Sequence, residues 1–409
     1  FRSIQRLIMD NGLDDLNIIV GNNDAGKSNI LKALNLFFNG NTELGQQLDF
    51  WEDFNKNINR AARSQYIKVV IDIDLKYETN KWLRWTREWD SNGIRITDDQ
   101  KVFDSITGAP SDWVVRSRAP GWLSRLRYRY VPAVKGPEYF KHLYEQLHDT
   151  LANVFGEQFQ ADSENFITGI RNITQAITDQ LERDLGIRNR LSVPSDFKAL
   201  FATLDFSLDT TDRSYYLSKR GDGIKGRHIP IILNYLADNE HRALSGTTSV
   251  NTIWGFEEPE NNLEMSQAFE MARAFLGYAH PMQIFVTTHS PAFYSLEDAE
   301  RIKKWFTRRN QENNTEVVQV TSENEVDLDR EMGMLAYITP FVEAKNLEYE
   351  AEKAEKERLA GELIDATDAT RCLVFTEDEA NDSELMNNIL AAHGCMTWTC
   401  NKKVDSRLS

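Results

Sequence analysis

Gly21-Asn22-Asn23-Asp24-Ala25-Gly26-Lys27-Ser28 matches the phosphate-loop pattern G-x-x-x-x-G-K-[ST] at every fixed position. Its flanks fit as well. Leu16-Asn17-Ile18-Ile19-Val20 reads as a short buried strand, and Asn29 to Phe38 reads as a helix with one apolar face. That order matters physically. Successive backbone N–H groups and a helix N-terminus then converge on one anion. The stretch predicts that Asn22, Asn23, Asp24, Ala25, Gly26, Lys27, Ser28 and Asn29 surround the phosphates of a nucleotide. Lys27 would reach the β- and γ-phosphates, and the Ser28 hydroxyl would face Mg²⁺.

Two later strands carry the groups that such a loop needs. Thr252-Ile253-Trp254-Gly255-Phe256-Glu257-Glu258-Pro259-Glu260 is an apolar run ending in carboxylates. Glu257 is assigned to the metal shell, where Asp is more usual, and Glu258 to polarising the attacking water. Gln283-Ile284-Phe285-Val286-Thr287-Thr288-His289-Ser290-Pro291 is a second such run. His289, just past its end, is placed to meet the γ-phosphate or orient the water. Gly221-Asp222-Gly223 precedes a helix expected near Arg227–Ala237, which makes another candidate anion site. Loop, small-residue signature, acidic strand and strand-end histidine follow the order of ABC-type ATPases. In those proteins the signature of one subunit closes over nucleotide held by another.

Composition narrows the rest. The chain has 409 residues, 41% of them hydrophobic, which suits two or three domains with sizeable cores. No run of about 18 apolar residues points to a membrane span. The three cysteines, Cys372, Cys395 and Cys400, show no C-x-x-C spacing, which favours a reducing compartment and a cytoplasmic location. A net charge of −16 repels nucleic acid unless cations gather locally. They do so from Trp113 to Lys135, where Arg116, Arg118, Arg125, Arg127 and Arg129 alternate with Trp122, Tyr128 and Tyr130. The alternation reads as a half-buried strand, whose outward arginines could still touch phosphate.

The organisation expected is an α/β ATPase in several segments. Residues 1–136 form the first part of the ATPase domain, opening with strand, loop, helix and a returning strand at Ile67–Leu75. Residues 137–192 form a helical insertion, read as two antiparallel helices from the four-residue spacing of Tyr139 to Phe155 and of Phe166 to Leu181. The insertion could serve dimerisation. Residues 193–330 complete the ATPase, residues 331–370 form a helical connector rich in Glu, Lys and Ala, and residues 371–409 start a second α/β domain. That last stretch is short for such a domain and the chain opens on Phe1. The expectation is therefore a sequence that begins and ends inside a longer protein.

These motifs resemble the OLD (overcoming lysogenization defect) family of ABC-like ATPases, related to SMC proteins. The carrying residues are Gly21–Ser28, Gly221–Gly223, Glu257 to Leu263 and Thr287 to Pro291, with Phe1-Arg2-Ser3-Ile4 and Phe37-Phe38 in support. The resemblance implies a homodimer or higher oligomer that binds ATP and Mg²⁺. It also implies a C-terminal Toprim domain that cuts DNA with a divalent metal, Mg²⁺ or Mn²⁺. Family members serve in anti-phage defence, in Gabija-like or retron-associated systems, so a defence partner protein or nucleic acid is implied too. The Toprim start is similar to Leu373-Val374-Phe375-Thr376-Glu377-Asp378-Glu379-Ala380-Asn381-Asp382. There Glu377 matches the catalytic glutamate, with Asp378 and Asp382 as further metal ligands. Asp378 stands where the family usually has Gly, and Asp382 comes one position late. The alternative is an SMC-like DNA-sensing or scaffold ATPase with no nuclease of its own.

Overall fold

The computed structural model describes residues 1–10, 12–58, 65–185, 207–209, 214–243, 251–279, 282–332 and 334–366. In chain order the elements are β1 (Leu16–Gly21), α1 (Lys27–Asn39), β2 (Asn41–Glu43), β3 (Gln46–Gln47), α2 (Phe50–Asp53), β4 (Ile67–Asp74), β5 (Lys81–Trp89), β6 (Arg95–Asp104), β7 (Pro110–Ser111), α3 (Ala119–Leu123), β8 (Arg127–Val131) and α4 (Pro137–Leu185). They continue with β9 (Ser207–Asp209), β10 (Ser214–Tyr216), α5 (Asp222–Ala243), β11 (Thr252–Glu257), α6 (Met265–Tyr278), β12 (Gln283–Thr287), α7 (Pro291–Tyr294), β13 (Ile302–Arg309), β14 (Thr315–Gln319), α8 (Glu325–Met332) and α9 (Met334–Ala366).

The expected α/β P-loop ATPase architecture is present. A six-stranded sheet runs in the order β14-β13-β1-β12-β11-β8, parallel except for β14. A parallel strand is covered on both faces, which is why β1 is apolar except for Asn17, whose buried amide donates to the Asp14 carbonyl. Leu16, Ile18 and Val20 join Trp254, Phe256, Ile284 and Val286 in one core with Ile229, Leu233, Ala272 and Phe275 from α5 and α6. Ile19 packs on the other face with Ile30, Leu31, Tyr128, Tyr130, Phe285 and Trp305. Burying these side chains removes most of their apolar surface from water, at roughly 25 cal/mol per Å².

The strand at Ile67–Leu75 forms, but it does not return to this sheet. β4 pairs antiparallel with β5 over Ile67↔Trp89 to Asp74↔Trp82, in a separate sheet of order β4-β5-β6-β7. Its alternation of half-buried or buried with exposed residues is the mark of a one-sided antiparallel sheet, not of a covered parallel strand. Leu83, Trp85 and Val102 pack there against Phe37 and against Ala119, Trp122 and Leu123 of α3.

The two antiparallel helices expected over 137–190 are one helix. α4 runs 49 residues without a break, roughly 70 Å at the usual rise. Gly156 and Gly169 each cost about 1 kcal/mol relative to Ala, too little to end a helix whose neighbours propagate it. Tyr139, Leu143 and Tyr144 in its first turns join the main core, and α4 packs against α5. The helix expected at Arg227–Ala237 is longer too. α5 starts at Asp222 and tolerates Pro230 within it.

Contacts divide the chain into two units, Phe1–Asn346 and Leu347–Ser409. Described residues of the second unit are helical from Leu347 to Ala366 and exposed over most of that stretch. Among the described residues, no helix is long and apolar enough to cross a membrane.

Candidate nucleotide site

Parallel pairing puts the chemistry at one edge of the sheet. Ile19 registers with Thr287, and Thr287 with Glu257. The chain therefore leaves β1, β12 and β11 side by side, carrying the phosphate loop, His289 and the carboxylates. Residues separated by over 200 positions become neighbours through this register alone.

The loop is braced from behind. Gly21 has φ +147, and a Cβ there would sit 2.0 Å from the Thr307 carbonyl oxygen. Gly26 has φ +99, and its Cβ would meet Thr315 Oγ1 at 2.1 Å. Both positions therefore need glycine. Thr315 Oγ1 donates to the Ala25 carbonyl at 2.9 Å, and Arg309 Nε donates to the Asp24 carbonyl at 2.8 Å. Asn29 Nδ2 donates to Ser3 Oγ, which is 2.6 Å from Thr315 Oγ1. Asn22, Asn23 and Asp24 stay exposed at the tip, while Ala25 and Lys27 are buried and Gly26, Ser28 and Asn29 half-buried.

Lys27 is the centre of the site. Its Nζ donates to the carbonyls of Gly21 at 3.1 Å and Asn22 at 3.0 Å, and lies 2.7 Å from His289 Nε2. Burial lowers the Lys27 pKa to about 8, against the pull of Glu258 and Glu260. Burial and the Lys27 charge also lower that of His289. An ammonium donates and cannot accept, so the pair is consistent with a neutral imidazole accepting through Nε2. His289 Nε2 is also 3.9 Å from Glu258 Oε1. Lys27, His289 and Glu258 thus come together.

Glu258 holds φ +43, a left-handed conformation that costs a non-glycine residue about 1–3 kcal/mol. Two contacts hold it there: its N–H donates to the Thr287 carbonyl, and Asn261 Nδ2 donates to its Oε2 at 2.8 Å. Glu257 points inward and is 5% exposed, accepting from the Tyr130 hydroxyl at 2.7 Å. Burial and the Glu257 charge push the Tyr130 phenol far up, so it remains a donor. A Mg²⁺ ion needs one or two carboxylates or hydroxyls beside nucleotide oxygens and water. The all-oxygen pair Ser28 and Glu257 fits that demand. Among the described residues there is no cluster of three or more His, Cys, Asp or Glu arranged to hold a metal ion by itself.

Gly221–Gly223 stands apart from this group. Gly221 precedes α5, and Lys225 N–H bonds back to its carbonyl. Asp222 and Gly223 lie within the first turn of the helix, not before it. A Cβ on Gly221 would meet nothing within 4 Å, whereas one on Gly223 would sit 2.3 Å from the Asn262 carbonyl oxygen. Gly221 is thus open, and Gly223 is wedged against the turn that follows Glu258. Glu377, Asp378 and Asp382 lie outside the described residues.

Several contributors carry no motif. Tyr130 sits in the arginine-tyrosine alternation, where burial of Tyr128 and Tyr130 was readable but the bond to Glu257 was not. Trp122, Tyr128 and Tyr130 are buried, so they offer no stacking surface, and Arg129 pairs with Glu240 at 2.5 Å. Lys135 is a second such residue. Its Nζ approaches the carbonyls of Ala133 at 3.3 Å and Glu258 at 3.4 Å. Burial lowers its pKa to about 8 against the pull of Glu260, Glu258 and Glu257. Arg309, Thr315 and Ser3 reach the loop from parts of the chain no local pattern connects to it.

A family model described as an AAA ATPase domain matches residues 1–109. The chain carries a P-loop ATPase domain. It is 22% identical to Endonuclease GajA of Bacillus cereus (strain VD045) over 352 residues, covering 76% of this chain and 57% of GajA. The chain thus spans little more than half the length of that relative. Solved structures that resemble it include an SMC head bound to the C-terminal winged-helix domain of ScpA, at TM-score 0.43 and 12% identity over 76% of this chain and 91% of that one. Another is the SMC head domain from Thermotoga maritima, at TM-score 0.36 and 16% identity over 78% and 96%.

Proposed function

We propose that this chain is the ATP-binding and hydrolysing part of an OLD-like protein that regulates metal-dependent DNA cleavage in anti-phage defence. The observation that carries the ATPase half is the meeting of Lys27, His289 and Glu258 at neighbouring strand ends. In this reading the backbone of residues 22–29 and the Lys27 ammonium bind the nucleotide phosphates. Ser28 and Glu257 would hold Mg²⁺, which would neutralise phosphate charge. Glu258 takes a proton from the attacking water, and His289 faces the γ-phosphate. Gly221–Gly223 closes over nucleotide held by a second copy, in a homodimer or larger assembly.

The cleavage half is supported by the likeness to an endonuclease and by the acidic stretch from Glu377 to Asp382. There Glu377 with Asp378 and Asp382 would bind Mg²⁺ or Mn²⁺ beside a scissile phosphate. DNA is the substrate, in the cytoplasm. The test is metal-dependent DNA cleavage and ATP hydrolysis measured side by side on the natural gene product. Glu377→Ala should abolish cutting and leave ATP turnover within about twofold, since the two sites are separate. Cleavage undiminished in that variant would refute the nuclease assignment and favour a DNA-sensing ATPase.

A further inference from the structure

Glu260 has no part in the roles above, yet it is among the most constrained carboxylates near the site. Its Oε1 accepts from the Thr288 hydroxyl at 2.6 Å and from the His289 backbone N–H at 3.0 Å. Its Oε2 is buried with no hydrogen-bond partner. The Thr288 hydroxyl in turn accepts from the Ser290 N–H at 2.9 Å, and Ser290 Oγ accepts from the Ala292 N–H. One carboxylate oxygen therefore fixes the backbone on both sides of the histidine. Glu258, Lys27 and Lys135 are the charged groups facing it. A general base needs an oxygen open to water; Glu260 has one oxygen bonded to the protein and the other buried.

We propose that Glu260 is a positioning residue for ATP hydrolysis, clamping the Thr288–His289 turn so that the imidazole stays beside Lys27 and Glu258. The proposal rests on the assignment of His289 to the γ-phosphate. A displacement of about 1 Å at such a group can cost 100-fold in rate. Glu260→Ala frees the turn. Glu260→Gln keeps a carbonyl oxygen that can accept both bonds.

The experiment compares Glu260→Ala, Glu260→Gln and Thr288→Val for kcat, KM, nucleotide affinity and hydrogen exchange at the His289 amide. Glu260→Ala should lower kcat about 10- to 100-fold with KM and affinity within about threefold, and should speed exchange at His289 at least about tenfold. Glu260→Gln should recover most of both. Thr288→Val, which removes one donor only, should fall between and serves if the alanine variant does not fold. Wild-type kcat in Glu260→Ala, unchanged His289 exchange, or a glutamine variant as impaired as the alanine one would each overturn the clamp. The exchange measurement needs no turnover. Faster exchange in Glu260→Ala beside a wild-type protein that binds but does not hydrolyse ATP would support the clamp and refute the ATPase reading alone.

Discussion

Two regions of the ATPase unit present different kinds of site. At the ends of β1, β11 and β12, Lys27, His289 and Glu258 are held within hydrogen-bonding or near-contact distance. Burial shifts the first two toward neutrality. At the start of α5, Gly221 faces open space and only Gly223 touches the turn beyond Glu258. The residues of the first group are brought together within one chain by sheet register. The second gains meaning only when something outside fills the space over Gly221. Half-sites of this kind should respond differently to mutation: the first within each chain, the second only across chains.

The sharpest tests fall on the first region. Glu258→Gln should leave nucleotide binding intact and slow hydrolysis at least about 100-fold, as for loss of a general base. Single-turnover kinetics checks it, and Glu257→Gln blocking hydrolysis while Glu258→Gln spares it would reverse the two roles. Lys27→Ala should weaken nucleotide binding about 30- to 100-fold, the scale of a charge-assisted hydrogen bond lost in a buried site. Titration calorimetry at fixed Mg²⁺ measures this, and unchanged affinity would remove the phosphate-loop assignment.

Next in size is the cross-chain effect. Gly221→Glu should fold with an unchanged melting temperature, because its side chain enters open space. It should still lose most ATP turnover if that space meets a partner's nucleotide. Mixed with Lys27→Ala, it should regain activity, because a mixed pair contains one site with both defects and one with neither. Failure to regain activity, in a mixture shown to form mixed dimers, would make α5 a structural helix and erase the contrast.

A smaller effect concerns protons. Lys27 and Lys135 both stand near pKa 8, lowered from their usual values by burial. A phosphate beside Lys27 favours its charged form and raises that value. Nucleotide binding at about pH 8.5 should therefore take up a fraction of a proton, and affinity should fall as pH rises past 8. Calorimetry in buffers of different ionisation heat reads the uptake directly; proton release would contradict it. The stability sign is the reverse of the binding sign. With folded pKa values depressed below the unfolded ones, both lysines contribute a rise in stability between about pH 8 and 10.5.

How much of this was readable in sequence follows from what each feature depends on. The phosphate loop, the carboxylate strand and the strand-end histidine are local patterns, and each marks its own strand or helix. The sheet order that brings them together is non-local. Other features had no local signal. β4 reads as a strand, and its alternation marks one exposed face, but that stretch does not say which strand it pairs with. α4 looked like two helices because its apolar spacing falls into two groups, Tyr139 to Phe155 and Phe166 to Leu181, although no proline or glycine pair stands between them to make a turn. Glu260 was visible in the sequence, but its bonds to Thr288 and His289 depend on how two turns face each other.

Tyr130 supplies the smallest predicted effect and the finest test of the first region. Its hydroxyl donates to Glu257 Oε1 from β8, the edge strand beside β11. Removing it with Tyr130→Phe keeps the ring packed against Ile30 and Leu31 and leaves one buried carboxylate oxygen short of a donor. A lost hydrogen bond to a charged group is worth about 1.5–3 kcal/mol when nothing replaces it. Here a metal held by Glu257 would replace part of it. The variant should therefore unfold at lower denaturant in the metal-free state and recover much of the difference with Mg²⁺ and nucleotide. Its kcat should drop only about two- to fivefold. Equal stability of Tyr130→Phe and wild type without metal would mean that the Tyr130 bond contributes nothing to holding Glu257. Equal destabilisation with and without Mg²⁺ and nucleotide would instead take Glu257 out of the metal shell and leave it a buried structural acceptor.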